Sequence, residues 1–222
     1  LGFQHSDTKP IVVENGTYIT NFELLPGIGY QSFREINDPV LRKKHKLAAR
    51  PQIPSLHDPK ARKISFSTDQ TSLETIIGTT NDEVAVAPGI LQRTWSKGNR
   101  QYYHYQTDGP IGGEYRILSA KYEVKESRWN DVAIKIYFHP DHSQNTDRML
   151  KSAKASLAYF SEPFGPYPFK SLTMVEGSGN GAGASADGGI IYYGEQYALF
   201  NPDDSPTGFD LPYYIMSHEV AH

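Results

Sequence analysis

The hydrophobic period of this chain changes near residue 140, and that change limits what it can fold into. Between Ala61 and His139 the apolar residues follow strand patterns. "RKISFST" alternates, "QYYHYQT" is rich in aromatics, and "YRILSAKYEV" is suited to pair with "DVAIKIYFH" across "KESRWN". Strands this numerous, with no helical period between them, predict an antiparallel β-sandwich or folded sheet. From Asp147 the spacing becomes helical: Met149, Leu150, Ala153, Leu157 and Phe160 share one face, with Lys151 and Lys154 on others. This helix is expected to stop before "EPFGPYPF", because Pro163, Pro166 and Pro168 cannot continue it.

After the prolines, "SLTMVE" reads as a buried strand, "GSGNGAGASADGG" as a glycine-rich loop and "IIYY" as a second strand. "NPDDSPTG" is a loop, and Asp210 is placed to cap a last helix that starts at Leu211. The expected fold class is mixed α+β. An N-terminal antiparallel β-sandwich or sheet domain covers residues 1–140, and the first part of an α/β domain covers 141–222. Ahead of residue 60, Asn15-Gly16 is a hairpin signal and Asp38 to Ala49 has the composition of a short helix.

Composition excludes several classes. Hydrophobic residues at 38% and charged residues at 21% describe a folding chain rather than a disordered one. A net charge of −3 gives no electrostatic footprint for nucleic acid, and the small basic group Arg42, Lys43, Lys44 and Lys46 reads as a solvated helix face. Trp95 and Trp129 read as core or strand-edge aromatics. There is no cysteine, which rules out thiolate metal sites and leaves the compartment open between extracytoplasmic and cytoplasmic. No apolar run approaches the roughly 20 residues of a membrane helix. The chain begins Leu1-Gly2-Phe3 and stops on His222, so both ends are expected to be cuts in a longer protein.

The strongest chemical signal is "SHEVAH", Ser217 to His222, which holds an H-E-x-x-H pattern. Residues four apart on a helix share a face, so His218 and His222 can offer imidazole nitrogens to one zinc ion. Glu219 lies beside His218 and is placed as a general base toward a water activated there. The competing reading is chance, which on residue frequencies produces the pattern in on the order of one chain in a hundred. The remaining histidines, His139 and His142 among them, show no ligand spacing and read as strand and loop residues. The glycines from Gly177 to Gly183 lack the Lys of a phosphate loop and read as a flexible cleft edge or a solvent loop. No G-x-S-x-G elbow supports serine hydrolysis.

Taken together, "DEVAVAPGILQRTW", "ILSAKYEVKESRWNDVAIKIYFHPDH", "DRMLKSAKASLAYFSEPFGPYPF" and "IMSHEVAH" resemble the aminopeptidase N family of gluzincins. Within that family they are similar to the bacterial version fused behind an ABC-transporter permease. The resemblance spans about residues 60–222. It implies a thermolysin-like catalytic domain from about residue 140, a peptide substrate, a zinc cofactor, and a permease domain of the same polypeptide as partner, with this part outside the cytoplasm at a bacterial membrane. It implies His218 and His222 as zinc ligands and Glu219 as base. A third ligand, a glutamate, and an oxyanion-stabilising tyrosine fall beyond residue 222, so the chain itself is expected to be inactive or nearly so.

The resemblance also exposes a departure. Family members that trim free N-termini carry G-x-M-E-N before the catalytic helix, and the glutamate binds the substrate's α-amine. The matching stretch here is Gly183-Ala184-Ser185-Ala186-Asp187, which makes Gly183, Ala184 and Ser185 substrate-contact candidates. Ala186 stands in the glutamate's place and brings no charge, and Asp187 and Glu195 are the substitutes at hand. Two readings stay open: a zinc peptidase, or a non-catalytic module that binds peptides or a transporter partner.

Overall fold

A computed structural model describes residues 11–13, 16–25, 35–50, 55, 57, 71–177 and 183–222. The fold is mixed α+β, with three sheets and few helices. "RKISFST" and Asn15 lie outside the described residues, but the strands flanking the predicted turn pair as expected. β1 (Val12–Val13) and β2 (Gly16–Thr20) are antiparallel, with Val13 opposite Gly16.

Two sheets belong wholly to the first part of the chain, and both are antiparallel. One has the order β1-β2-β7-β4, with β4 at Val84–Val86 and β7 at Arg116–Ala120. The other has the order β3-β6-β5, from Glu74–Thr80, Arg100–Gln106 and Ile90–Lys97. Tyr103 and Tyr105 of β6 bury against Ala85 and Ala87, and each hydroxyl donates to a backbone carbonyl, of Glu83 and Ala85 respectively. Trp95 stacks on Tyr102 with ring centroids 5.3 Å apart, a strand-surface pairing.

The third sheet has five strands in the order β11-β12-β10-β9-β8. β8 (Glu123–Trp129) and β9 (Val132–Phe138) form a hairpin. β10 (Ser171–Glu176) runs parallel to both β9 and β12 (Ile190–Tyr193). β11 (Ala184–Asp187) closes the edge antiparallel to β12. Two of these strands lie before residue 140 and three after it, so hydrogen bonds join the two stretches into one sheet.

The observed pairing of β9 differs from the sequence expectation. "KESRWN" is not a connection; Lys125 to Trp129 are strand, and the turn falls at Asn130, whose φ of 47° suits an asparagine. β7 pairs with β2 and β4 instead, because the chain turns sharply at Lys121, where the Tyr122 N–H donates to the Ala120 carbonyl at 2.8 Å. Polar residues on an outward-facing, half-exposed strand had the look of a loop.

Four helices matter for packing. α2 (Pro39–Lys44) is shorter than the span expected, with Asp38 accepting from the Leu41 N–H as cap; it follows a short turn, α1 (Asn21–Leu24). Arg42 is buried rather than solvated: its guanidinium donates to the carbonyls of Ala48 and Ile36 and pairs with Glu35 at 3.2 Å. α3 (Thr146–Phe164) buries Met149, Leu150, Ala153 and Leu157 as its periodicity predicts. It runs past Pro163 to Gly165, one turn longer than expected. Pro163 lacks the N–H that would bond the Tyr159 carbonyl, and because Tyr159 is exposed that carbonyl can be hydrated, so the usual penalty is reduced. α4 (Glu195–Leu199) follows β12, and α5 (Leu211–Ala221) ends the chain. The main core lies between α3, α5 and the five-stranded sheet, where Ile134, Ile136, Met174 and Met216 are fully buried. Each such side chain contributes about 1.5–3 kcal/mol on leaving water. No described helix is long and apolar enough to cross a membrane.

Candidate active site

The H-E-x-x-H residues sit on α5, and local chemistry explains why that helix starts where it does. The Asp210 carboxylate accepts from the Tyr213 N–H at 3.1 Å, and Pro212 occupies the first turn, where an N–H has no helical partner to lose. Two contacts with α3 hold the helix in place. Arg148 pairs with Asp210, and the Ser152 hydroxyl donates to the Tyr213 carbonyl at 2.6 Å. Met216 fills the core below, and Leu211, Ile215 and Val220 pack beside it.

On the outer side of α5 the two imidazoles converge. Nε2 of His218 and Nε2 of His222 are 3.2 Å apart, and both rings are exposed. A tetrahedral ion with Zn–N bonds of 2.0–2.1 Å needs its nitrogens about 3.3 Å apart. The spacing of the pair is thus that of two ligands on one zinc ion, and it is also hydrogen-bond distance between the rings. A Glu219 carboxylate oxygen lies within 4.8 Å of both nitrogens. Glu219 itself is 5% exposed, and its Oε2 is buried with no hydrogen-bond partner. A carboxylate beside the two imidazoles is in position to accept a proton from a water held there.

Glu219 and His222 line a cavity of about 600 Å³. The aromatic rings of Phe160, Phe164, Tyr167 and Phe169 form much of its wall, and Ala186 and Asp187 at the end of β11 complete it.

The substrate-contact candidates follow from β11. Gly183, Ala184 and Ser185 lead into or lie on this edge strand, so the second half of the glycine-rich stretch is strand rather than loop. Gly181, Ala182 and the residues back to Ser178 lie outside the described residues. Among the described residues β11 pairs with β12 alone and forms the edge of the sheet, and the strand lies in contact with α5. The register is set by the Gly188-Gly189 turn, where φ values of 57° and 80° favour glycine. Ala184 and Ala186 face the core beneath α5. The Asp187 carboxylate is engaged by the Gly112 N–H at 3.3 Å.

Glu195, the other substitute for an amine anchor, points elsewhere. It is 1% exposed and lies 3.6 Å from Nε2 of His142, in a buried cluster that sequence reasoning missed. Nδ1 of His142 is 2.5 Å from Glu176, whose second oxygen accepts from the His139 N–H at 2.9 Å. The hydrogen bond that His142 donates to Glu176 raises the His142 pKa above the usual imidazole value, against the opposing effect of burial. The only sequence sign was a glutamate closing the apolar run "SLTMVE" and another just after "IIYY".

No family model matches this chain. It is similar to an aminopeptidase N of Acetobacter pasteurianus, 30% identical over 146 residues, which is 64% of this chain and 41% of that protein. The chain thus spans less than half the length of this relative. A match of that extent is a distant, partial link to aminopeptidases.

Proposed function

We propose that this chain is part of a zinc-dependent metallopeptidase of the aminopeptidase N kind, with the first elements of a thermolysin-like catalytic domain. The observation that carries the reading is the 3.2 Å approach of the His218 and His222 nitrogens on a capped helix, with the buried Glu219 carboxylate beside them. His218 and His222 would hold the zinc, and a third protein ligand and the oxyanion-stabilising tyrosine would come from residues beyond this chain. Zinc bound there would supply Lewis acidity toward water and the substrate carbonyl. Glu219 takes a proton from the attacking water and returns it to the leaving amine. The edge strand β11, with Gly183, Ala184 and Ser185, would align an extended peptide near α5. The chain by itself is expected to have little activity.

Ala186 supports a limit on that function. It faces the core and carries no charge, Asp187 is bonded to Gly112, and Glu195 belongs to the His142 cluster. An ammonium group therefore finds no dedicated carboxylate among the residues aligned with the amine-binding motif. The same observation favours the second reading, a module that binds peptides or a permease partner of the same polypeptide without cleaving them. A location outside the cytoplasm at a bacterial membrane goes with either.

The test is an assay of the longer protein on amino-acid anilides and on N-blocked peptides, beside its Glu219→Gln variant. Cleavage lost in the variant supports the peptidase. Cleavage of free-amine substrates alone would restore strict aminopeptidase specificity. Bound zinc with no cleavage of either class would favour the binding module.

A further inference from the structure

The buried cluster of His142, Glu176 and Glu195 stands at a particular place in the fold. Glu176 is the last residue of β10 and precedes Gly177; Glu195 is the first of α4 and follows Gly194. The Gly177 N–H donates to the Tyr193 carbonyl at 2.9 Å, and the Gly194 N–H donates to the Gly183 carbonyl at 3.1 Å. Both ends of the glycine-rich segment are thus pinned to the end of β12. His142 lies across them, with Glu176 on one ring nitrogen and Glu195 on the other. One turn later Asn145 donates to the carbonyls of Tyr197, Ala198 and Phe200 and holds the far end of α4.

Two carboxylates with accessibilities of 0% and 1% are costly in a protein interior unless positive charge offsets them. They face opposite nitrogens of one ring. An imidazolium can donate from Nδ1 to Glu176 and set its positive charge 3.6 Å from Glu195, whereas a neutral ring brings no charge to offset either carboxylate.

We propose that doubly protonated His142 is a latch between the end of β10 and the start of α4, and that loss of its proton loosens the start of α4 and the bonds of Gly177 and Gly194 at the two ends of the glycine-rich segment. The latch stands whether or not the chain belongs to a peptidase. Its effect would reach β11, the strand that segment leads into. The direction of the His142 pKa shift agrees with a ring held protonated. Among the described residues, the other titratable groups around the cluster include His139, with ring centroids 4.8 Å from His142, and the phenols of Tyr18, Tyr122 and Tyr193. Burial pushes all three phenols up, so they stay neutral while His142 titrates.

Amide hydrogen exchange of the 222-residue chain, followed by NMR between about pH 5.5 and 9 and corrected for intrinsic rates, tests this. Protection at Gly177 and Gly194 should fall by about tenfold or more in one step that coincides with the ¹⁵N titration of the His142 ring. Ile136, in the middle of β9, should show no such step. Glu195→Gln should move the step to lower pH, because one carboxylate that favours the imidazolium is gone. His142→Gln should abolish it. A flat profile in the wild type would overturn the latch, as would a step that survives in His142→Gln or stays in place in Glu195→Gln. Loss of protection at low pH on adding a chelator would overturn it in favour of a bound metal.

Discussion

Arg148 on α3 forms an ion pair with Asp210, the same residue whose carboxylate caps α5. One side chain thus starts the helix of the H-E-x-x-H residues and ties it to its neighbour. Asp210→Ala should cost about 1 kcal/mol for the cap, with less than about 1 kcal/mol more for the half-exposed pair. That corresponds to a melting temperature lower by about 2–8 °C for a chain of this size. In a double-mutant cycle with Arg148→Ala the effects should be non-additive, since the cap survives loss of the arginine and the pair does not.

Met216 is fully buried between α5 and the sheet. Met216→Ala removes a large side chain from a site that cannot collapse around it, and should cost about 2–5 kcal/mol in urea unfolding. Tyr214, which is exposed on the same helix, should tolerate alanine within about 0.5 kcal/mol.

Zinc should bind this chain weakly, because two imidazoles fall short of the three protein ligands of catalytic sites. By calorimetric titration, His218→Ala and His222→Ala should each lower affinity by more than about tenfold, the scale known for outer-shell losses. Glu219→Gln should leave zinc affinity nearly unchanged. Tight, stoichiometric binding by the wild type would contradict the first expectation, and a large loss in Glu219→Gln would make that residue a ligand rather than a base.

His142 should give stability an unusual pH dependence. Its folded-state pKa is raised, chiefly by the hydrogen bond with Glu176, so the imidazolium is the favoured form in the native state. Its contribution is fully present below the unfolded imidazole value of about 6.5 and is lost as pH rises through the higher folded value. Each unit of elevation corresponds to about 1.4 kcal/mol. Urea midpoints should therefore fall from mildly acid to alkaline pH, and His142→Gln should flatten that slope while lowering the acid-side value.

The elements that could be read from sequence were those with a local cause. Asp210 announces α5 because a cap acts within three residues, and Met149, Ala153 and Leu157 announce α3 because one buried face repeats every turn. β8 was misread because Glu126 and Arg128 sit on strand positions that face water, where the pattern of a strand and that of a polar connection converge. β11 was hidden by its small residues, which pair through backbone alone. The His142 cluster had no local cause at all: Glu176 lies 34 residues away in sequence, and only the packing of β10 against the turn before α3 brings the two together. The H-E-x-x-H pair was legible as spacing, but the burial of Glu219 was not.

The mixed sheet also decides how this chain can be cut for expression. A piece starting at residue 141 would keep the apolar faces of α3 and α5 and leave behind Val132, Ile134, Ile136 and Phe138, on which those faces rest. It would enter solution with a naked β10 edge and an open hydrophobic floor, the combination that drives aggregation. A boundary ahead of Glu123 retains the β8–β9 hairpin and gives the metal-motif helix its own foundation.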